Sequence, residues 1–111
     1  QRIQSVMETG QLFTDSNLSL QRLARKISTP INQVSQVINE QLNQTFYDLV
    51  NGYRIEAAKG FLADADKQNL TILTIAYDSG FNSKSAFNTA FKRITKQTPS
   101  QYRDSIPKTT D

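Results

Sequence analysis

The sequence has no cysteine, so no disulfide braces it and the fold must stand on packing alone. It has no histidine either, which removes the commonest general base and the commonest metal ligand together. Nucleophilic triads and structural zinc sites drop out, and no metal or other cofactor is expected. No run approaches the roughly 18 apolar residues that a spanning helix needs, so this segment is expected to make no contact with a membrane. A secretory leader and low-complexity tracts are missing too. The catalytic route left is a carboxylate pair, but Asp64 and Asp66 sit in a polar, turn-like stretch that reads as solvated linker. The expectation is a protein that is not an enzyme.

What is present is uneven in its placement. The chain has 111 residues, 37% of them hydrophobic, enough for one domain with a single modest core. Its 13 basic and 10 acidic residues leave a net charge of only +3, and where that surplus lies matters more than its size. Residues 1–53 carry four basic and four acidic groups, and residues 54–78 carry three and four. Residues 79–103, SGFNSKSAFNTAFKRITKQTPSQYR, carry five basic groups and none acidic. Between Lys26 and Arg54, by contrast, there is no lysine or arginine.

Apolar spacing is helical nearly throughout and no convincing run alternates with period two, which predicts an all-α domain. Ser19 caps a short helix with Leu20, Leu23, Ala24 and Ile27 on one face. Pro30 suits the first turn of the next helix, and Ile31, Val34, Ile38 and Leu42 form its inward stripe. The opposite face, Asn32, Gln33, Ser35, Gln36, Asn39 and Glu40, is almost all amide and hydroxyl. Two short helices joined by about three residues make a helix-turn-helix candidate, although any helical bundle contains such a pair. Thr45 and Asp48 then give a capping-box-like start to a long helix over 46–63, about 27 Å at 1.5 Å per residue. Its apolar stripe is Phe46, Leu49, Val50, Tyr53, Ala57, Phe61 and Leu62.

The pattern then repeats in architecture rather than in identity. Thr71 begins a short helix with Ile72, Ile75 and Ala76 inward, and Gly80 closes it. Asn82 or Ser83 caps the next helix, over 83–95. There Phe87, Phe91 and Ile94 lie on one face with Ala86 and Ala90 between them, so the phenylalanines read as core rather than as platforms for stacked bases. The other face presents Lys84, Ser85, Asn88, Thr89, Lys92 and Arg93, with Lys84, Asn88 and Lys92 on a single outward stripe. Thr98, Pro99 and Gln101 start a short closing helix through Tyr102 and Arg103.

RIEAAKGFL from Arg54, ILTIAYDSGFNSKSAFNTAFKR from Ile72 and TPSQYR from Thr98 together resemble the C-terminal DNA-binding domain of AraC/XylS-type bacterial transcriptional regulators. The likeness covers roughly residues 18–103 and is strongest from Arg54 onward. It implies two helix-turn-helix units, about 1–45 and 64–105, joined by a linker helix at about 46–63. Recognition helices at 31–42 and 83–95 would enter successive major grooves, which repeat about every 34 Å on one face of DNA. Base-contact candidates are then Asn32, Gln33 and Gln36 in the first, and Lys84, Ser85, Asn88 and Thr89 in the second. Asn and Gln can pair with N6 and N7 of adenine, which favours Gln36 and Asn88. Lys92, Arg93 and Lys96 are the phosphate-contact candidates. Arg54, Tyr102 and Arg103 are expected to fix helix packing.

The resemblance further implies double-stranded DNA and RNA polymerase as partners. It also implies a sensor or dimerisation region ahead of this domain in a longer protein, cytoplasmic or, from the likeness of GFNSKSAFNTAFKR to regulators with membrane-embedded sensors, membrane-anchored. The start at Gln1, on helix-like sequence with Ile3, Val6 and Met7 packing on the first unit, gives the same expectation of a domain taken from something longer. Two positions depart from the family pattern: Asn43 and Lys96 stand where glycine usually follows each recognition helix, and a lysine there costs about 1 kcal/mol or changes the turn. The alternative reading is a helical protein-interaction module that docks an acidic partner.

Overall fold

The computed structural model describes residues 2–106, and among them every regular element is helical. In chain order these are α1 (Arg2–Glu8), α2 (Leu20–Lys26), α3 (Ile31–Gln36), α4 (Phe46–Ala63), α5 (Ile72–Asp78), α6 (Lys84–Thr95) and α7 (Pro99–Ser105). Short 3-10 turns at Leu12–Thr14 and Ala65–Lys67 and a wider π turn at Val37–Gln41 complete the set. The architecture is the all-α one expected, two helix-turn-helix units joined by a long helix, drawn out to 50 × 24 × 23 Å.

Hydroxyl residues one step before α2, α4, α5, α6 and α7 mark where these helices begin, while α3 follows Pro30 with no side-chain cap. Ser19, Thr45, Thr71, Ser83 and Thr98 have extended backbones, and each side-chain oxygen accepts the amide three residues on. These bonds satisfy donors that a helix start would otherwise leave unpaired, typically about 1 kcal/mol each. At Thr98 the arrangement is reciprocal, because the Gln101 side chain accepts the Thr98 amide at 2.9 Å. At Thr45 it is one-sided, since the Asp48 carboxylate turns outward to Arg93.

The single core expected from chain length is divided in two. One cluster gathers Met7, Phe13, Leu23, Ile27, Val34 and Ile38 with Leu49 and Val50 of α4. The other gathers Ile75, Phe81, Phe87 and Phe91 with Ile55, Ala58 and Leu62 of the same helix. The long helix therefore buries different sides at its two ends, which the single stripe read from sequence misses: Ile55 and Ala58 are fully buried. Three other inward assignments are also corrected. Ile31, Ala86 and Ile94 are exposed, Ile31 and Ile94 by 43% and 41%. Ile31 sits at the first turn of α3 and Ile94 at the last turn of α6, and neither belongs to a core cluster.

The two units share one plan with one residue of difference. Ser28 and Gly80 both have positive φ, at 53° and 106°. Each turn is closed in the same way, by Thr29 N–H to Ala24 O and by Phe81 N–H to Ala76 O, both 3.0 Å. The second turn is a residue longer, so Val34 corresponds to Phe87, Ile38 to Phe91 and Asn43 to Lys96. Both positions where glycine was expected do adopt the left-handed backbone, Asn43 at φ 56° and Lys96 at φ 68°. Lysine thus accepts the strain rather than altering the turn, and its Nζ donates back to Arg93 O at 3.0 Å.

Arg54 locks the two halves together, as expected of a packing residue. Its Nε donates to Phe13 O at 2.8 Å and an Nη to Asp15 O at 2.9 Å, while the guanidinium lies 5.6 Å from the Phe81 ring centre. Burial holds its pKa below the ordinary arginine value, against the pull of Asp15. Gly80 comes so close to this junction that a Cβ would lie 2.3 Å from Phe13 O. In the second unit Tyr102 packs edge-on to Phe91 and Arg103 donates to Leu70 O at 2.9 Å.

Candidate nucleic-acid interface

On α6 the division of labour follows from the helical repeat. Phe87, Ala90 and Phe91 are buried, and the Phe87 ring packs against both Phe81 and Phe91 at 5.3 and 5.5 Å. That packing fixes the helix by burial worth about 1.5–3 kcal/mol per large side chain. It leaves Lys84, Ser85, Asn88, Thr89, Lys92 and Arg93 exposed. These six split into two rows. Lys84, Asn88 and Lys92 stand clear, their side chains without ion-pair or hydrogen-bond partners among the described residues.

Ser85, Thr89 and Arg93 form the second row, which turns toward the first two turns of α4. With Thr45, Tyr47 and Asn51 they line a groove of about 690 Å³ between the two units. Arg93 reaches across it, its Nη 2.7 Å from the Asp48 carboxylate. That guanidinium, aided by the Thr45 hydroxyl, holds the Asp48 carboxyl below its ordinary pKa. Among the phosphate candidates, then, Lys92 is unencumbered, Arg93 is paired and Lys96 is folded back on its own helix.

On α3, the expected first recognition helix, Asn32, Gln33 and Gln36 are all exposed. The Gln36 amide donates to Glu40 at 3.2 Å and Asn39 to Ser35 at 3.4 Å, so its outer face is laced by internal polar contacts. The helix is α only through Gln36. It then widens, with Leu42 N–H reaching Val37 O and Gln44 N–H reaching Ile38 O, both 3.1 Å. None of its three base-contact candidates lines the central groove.

Two residues of that groove escaped the sequence reading. Tyr47 is 74% exposed, and Asn51 lies one turn further on the same side of α4. Position alone offered a signal: both fall outside the apolar stripe of the long helix, Tyr47 as an aromatic residue with no place in the core.

A family model described as Helix-turn-helix domain matches residues 23–105. An uncharacterized HTH-type transcriptional regulator of Staphylococcus aureus is 34% identical over 110 residues, 99% of this chain. The chain spans only 14% of that relative's length. Among solved structures, the C-terminal domain of the two-component response regulator yesN from Fusobacterium nucleatum aligns with TM-score 0.78 and 31% identity, covering 91% of this chain and 93% of that one. The C-terminal domain of AraT, a response regulator from Geobacillus stearothermophilus, aligns with TM-score 0.83 and 27% identity, covering 99% and 91%.

Proposed function

The chain belongs to the helix-turn-helix domain family, and we propose that it binds double-stranded DNA sequence-specifically to regulate transcription, as an AraC/XylS-type reader. Its two recognition helices enter successive major grooves. The observation that carries this reading is the free row Lys84, Asn88 and Lys92, which no carboxylate among the described residues neutralises and which stands out from a helix anchored by Phe87 and Phe91. Asn88, with Gln36 on the first helix, pairs with adenine edges. Asn32, Gln33, Lys84, Ser85 and Thr89 supplement them, while Lys92, with Lys96 and Arg93, grips phosphate. The units, about 1–45 and 64–105, belong to a longer regulator whose other parts supply sensing or dimerisation and whose output is contact with RNA polymerase.

Selection of bound sites from random duplexes, followed by a salt series, tests the reading. A consensus with two half-sites about one helical turn apart is expected, and its preference over other duplexes should survive after nonspecific binding is salted out. Asn88→Ala should cost about 1–3 kcal/mol and relax one base position, whereas Lys92→Ala should weaken all duplexes alike and lower the salt slope by about one. Equal affinity for every duplex and for an unrelated acidic polymer would overturn the proposal.

A further inference from the structure

When two recognition helices occupy successive major grooves on one face, the minor groove between them and its bordering sugar–phosphate strands pass over whatever joins the units. Here that is the groove between α4 and α6. Its most prominent side chain is Tyr47, whose ring is steadied edge-on by Phe46 at 5.6 Å. The Tyr47 hydroxyl and the Asn51 amide make no hydrogen bond among the described residues. They lie at i and i+4, so both project from one side of α4. The opposite wall carries the hydroxyls of Ser85 and Thr89. Among the described residues the only carboxylate lining the groove, Asp48, is covered by Arg93 at 2.7 Å, which lowers the repulsion that a phosphate would otherwise meet.

We infer that Tyr47 and Asn51 form a third DNA contact, a neutral clamp on a phosphodiester of the strand that crosses between the two major grooves. This rests on the reading proposed above. The Tyr47 hydroxyl and the Asn51 amide donate to non-bridging oxygens. They thereby fix how the two units sit along the duplex without reading a base. Being uncharged, the pair contributes affinity without adding to the counterion release that governs salt dependence.

The experiment uses the 111-residue chain and a duplex recovered by selection, with single phosphates between the half-sites replaced by neutral methylphosphonates. For the unmodified chain, replacement at one or two central positions is expected to weaken binding about tenfold, the scale of a hydrogen bond to a charged group. Tyr47→Phe, which keeps the ring against Phe46, should weaken binding to the unmodified duplex by a similar factor. The variant should lose its sensitivity to those central replacements while base preference and salt slope stay unchanged. Matched thermal melts establish that the variant is folded. If Tyr47→Phe binds as tightly as the parent while Asn88→Ala still loses its base preference, the clamp is wrong and the reading of the recognition helices stands. If the parent prefers no duplex at all, both fall.

Discussion

The two helix-turn-helix units solve the same folding problem with different chemistry. The second has glycine in its turn, a phenylalanine core and an uninterrupted α6 whose basic row Lys84 and Lys92 is unpaired among the described residues. The first has Ser28 in the left-handed turn position, Val34 and Ile38 carrying the α3 segment into its core, and a helix that widens after Gln36. Its outer face is amide-rich, contains Glu40 and has no lysine or arginine. The difference separates two tasks that a DNA-binding helix must combine. In the second unit, lysines and an amide share one exposed face. In the first, the amides stand without a local lysine or arginine, so on the reading proposed above its hold on DNA would come from hydroxyls, helix starts and the neighbouring unit.

The largest test of this comparison is whether the two cores fail together. Phe91→Ala should destabilise by about 3–5 kcal/mol, and Ile38→Ala by about 2–5 kcal/mol, because each empties a fully packed site. Since α4 contributes to both clusters, urea unfolding followed by tryptophan-free probes such as far-UV circular dichroism should show one transition in each variant. Amide exchange should nevertheless locate the greater loss of protection in the mutated unit. Separate transitions would show that the units are energetically independent and that α4 does not couple them.

The turns differ next in size of effect. At Gly80 an added Cβ would meet Phe13 O at 2.3 Å and Arg54 Nε at 2.9 Å, in addition to the positive φ. Gly80→Ala is expected to cost about 2–4 kcal/mol, from overpacking and left-handed strain together. Ser28→Gly, at the corresponding position of the first unit, should instead be neutral or slightly stabilising. Thermal melts of the two variants check the contrast, and a tolerated Gly80→Ala would show that the junction with Arg54 yields easily.

The positions after the recognition helices extend the same logic. Lys96 and Asn43 both occupy the left-handed region, but asparagine tolerates it better than lysine. Lys96→Gly should therefore stabilise by about 1 kcal/mol and Asn43→Gly by less, measured as shifts in the urea midpoint at constant slope. If Lys96→Gly also weakens every duplex equally, Lys96 grips phosphate as proposed and its strained backbone is the cost of placing a charge there.

Much of this was legible in the chain because it is encoded locally. Five of the caps are hydroxyl residues one step before a helix, and Phe87 and Phe91 declare their face by spacing. The exposed rows of α6 follow from the same count. What was hidden depends on contacts distant in sequence. Ile55 and Ala58 look like interruptions of one stripe until a second core is set against them. Arg54 announces nothing of its bonds to Phe13 O and Asp15 O, made across 41 and 39 residues. Ile31 and Ile94 fit the apolar period, yet stand exposed at helix ends, outside both cores. The Arg93 candidate shows the same limit, since its position on the outward face says nothing of Asp48, 45 residues away.

That ion pair carries the smallest and sharpest test. Asp48 titrates below its ordinary value because Arg93, and then Thr45, hydrogen-bond its charged form. A carboxyl whose folded pKa is depressed contributes stability above its unfolded pKa and loses it as pH falls through the folded pKa. Melting temperature of the parent should therefore fall more steeply than that of Asp48→Asn as the pH drops below the ordinary aspartate value of 3.8. The pair is largely open to solvent, with side-chain exposures of 59% and 41%, so the difference should be small and should shrink in high salt. Duplex binding by the same variant distinguishes two uses of Arg93. If Arg93 is chiefly a phosphate contact, releasing it from Asp48 should tighten binding to all duplexes and steepen the salt dependence. If the pair chiefly sets the second recognition helix against α4, the variant should instead bind with looser half-site spacing at an unchanged slope.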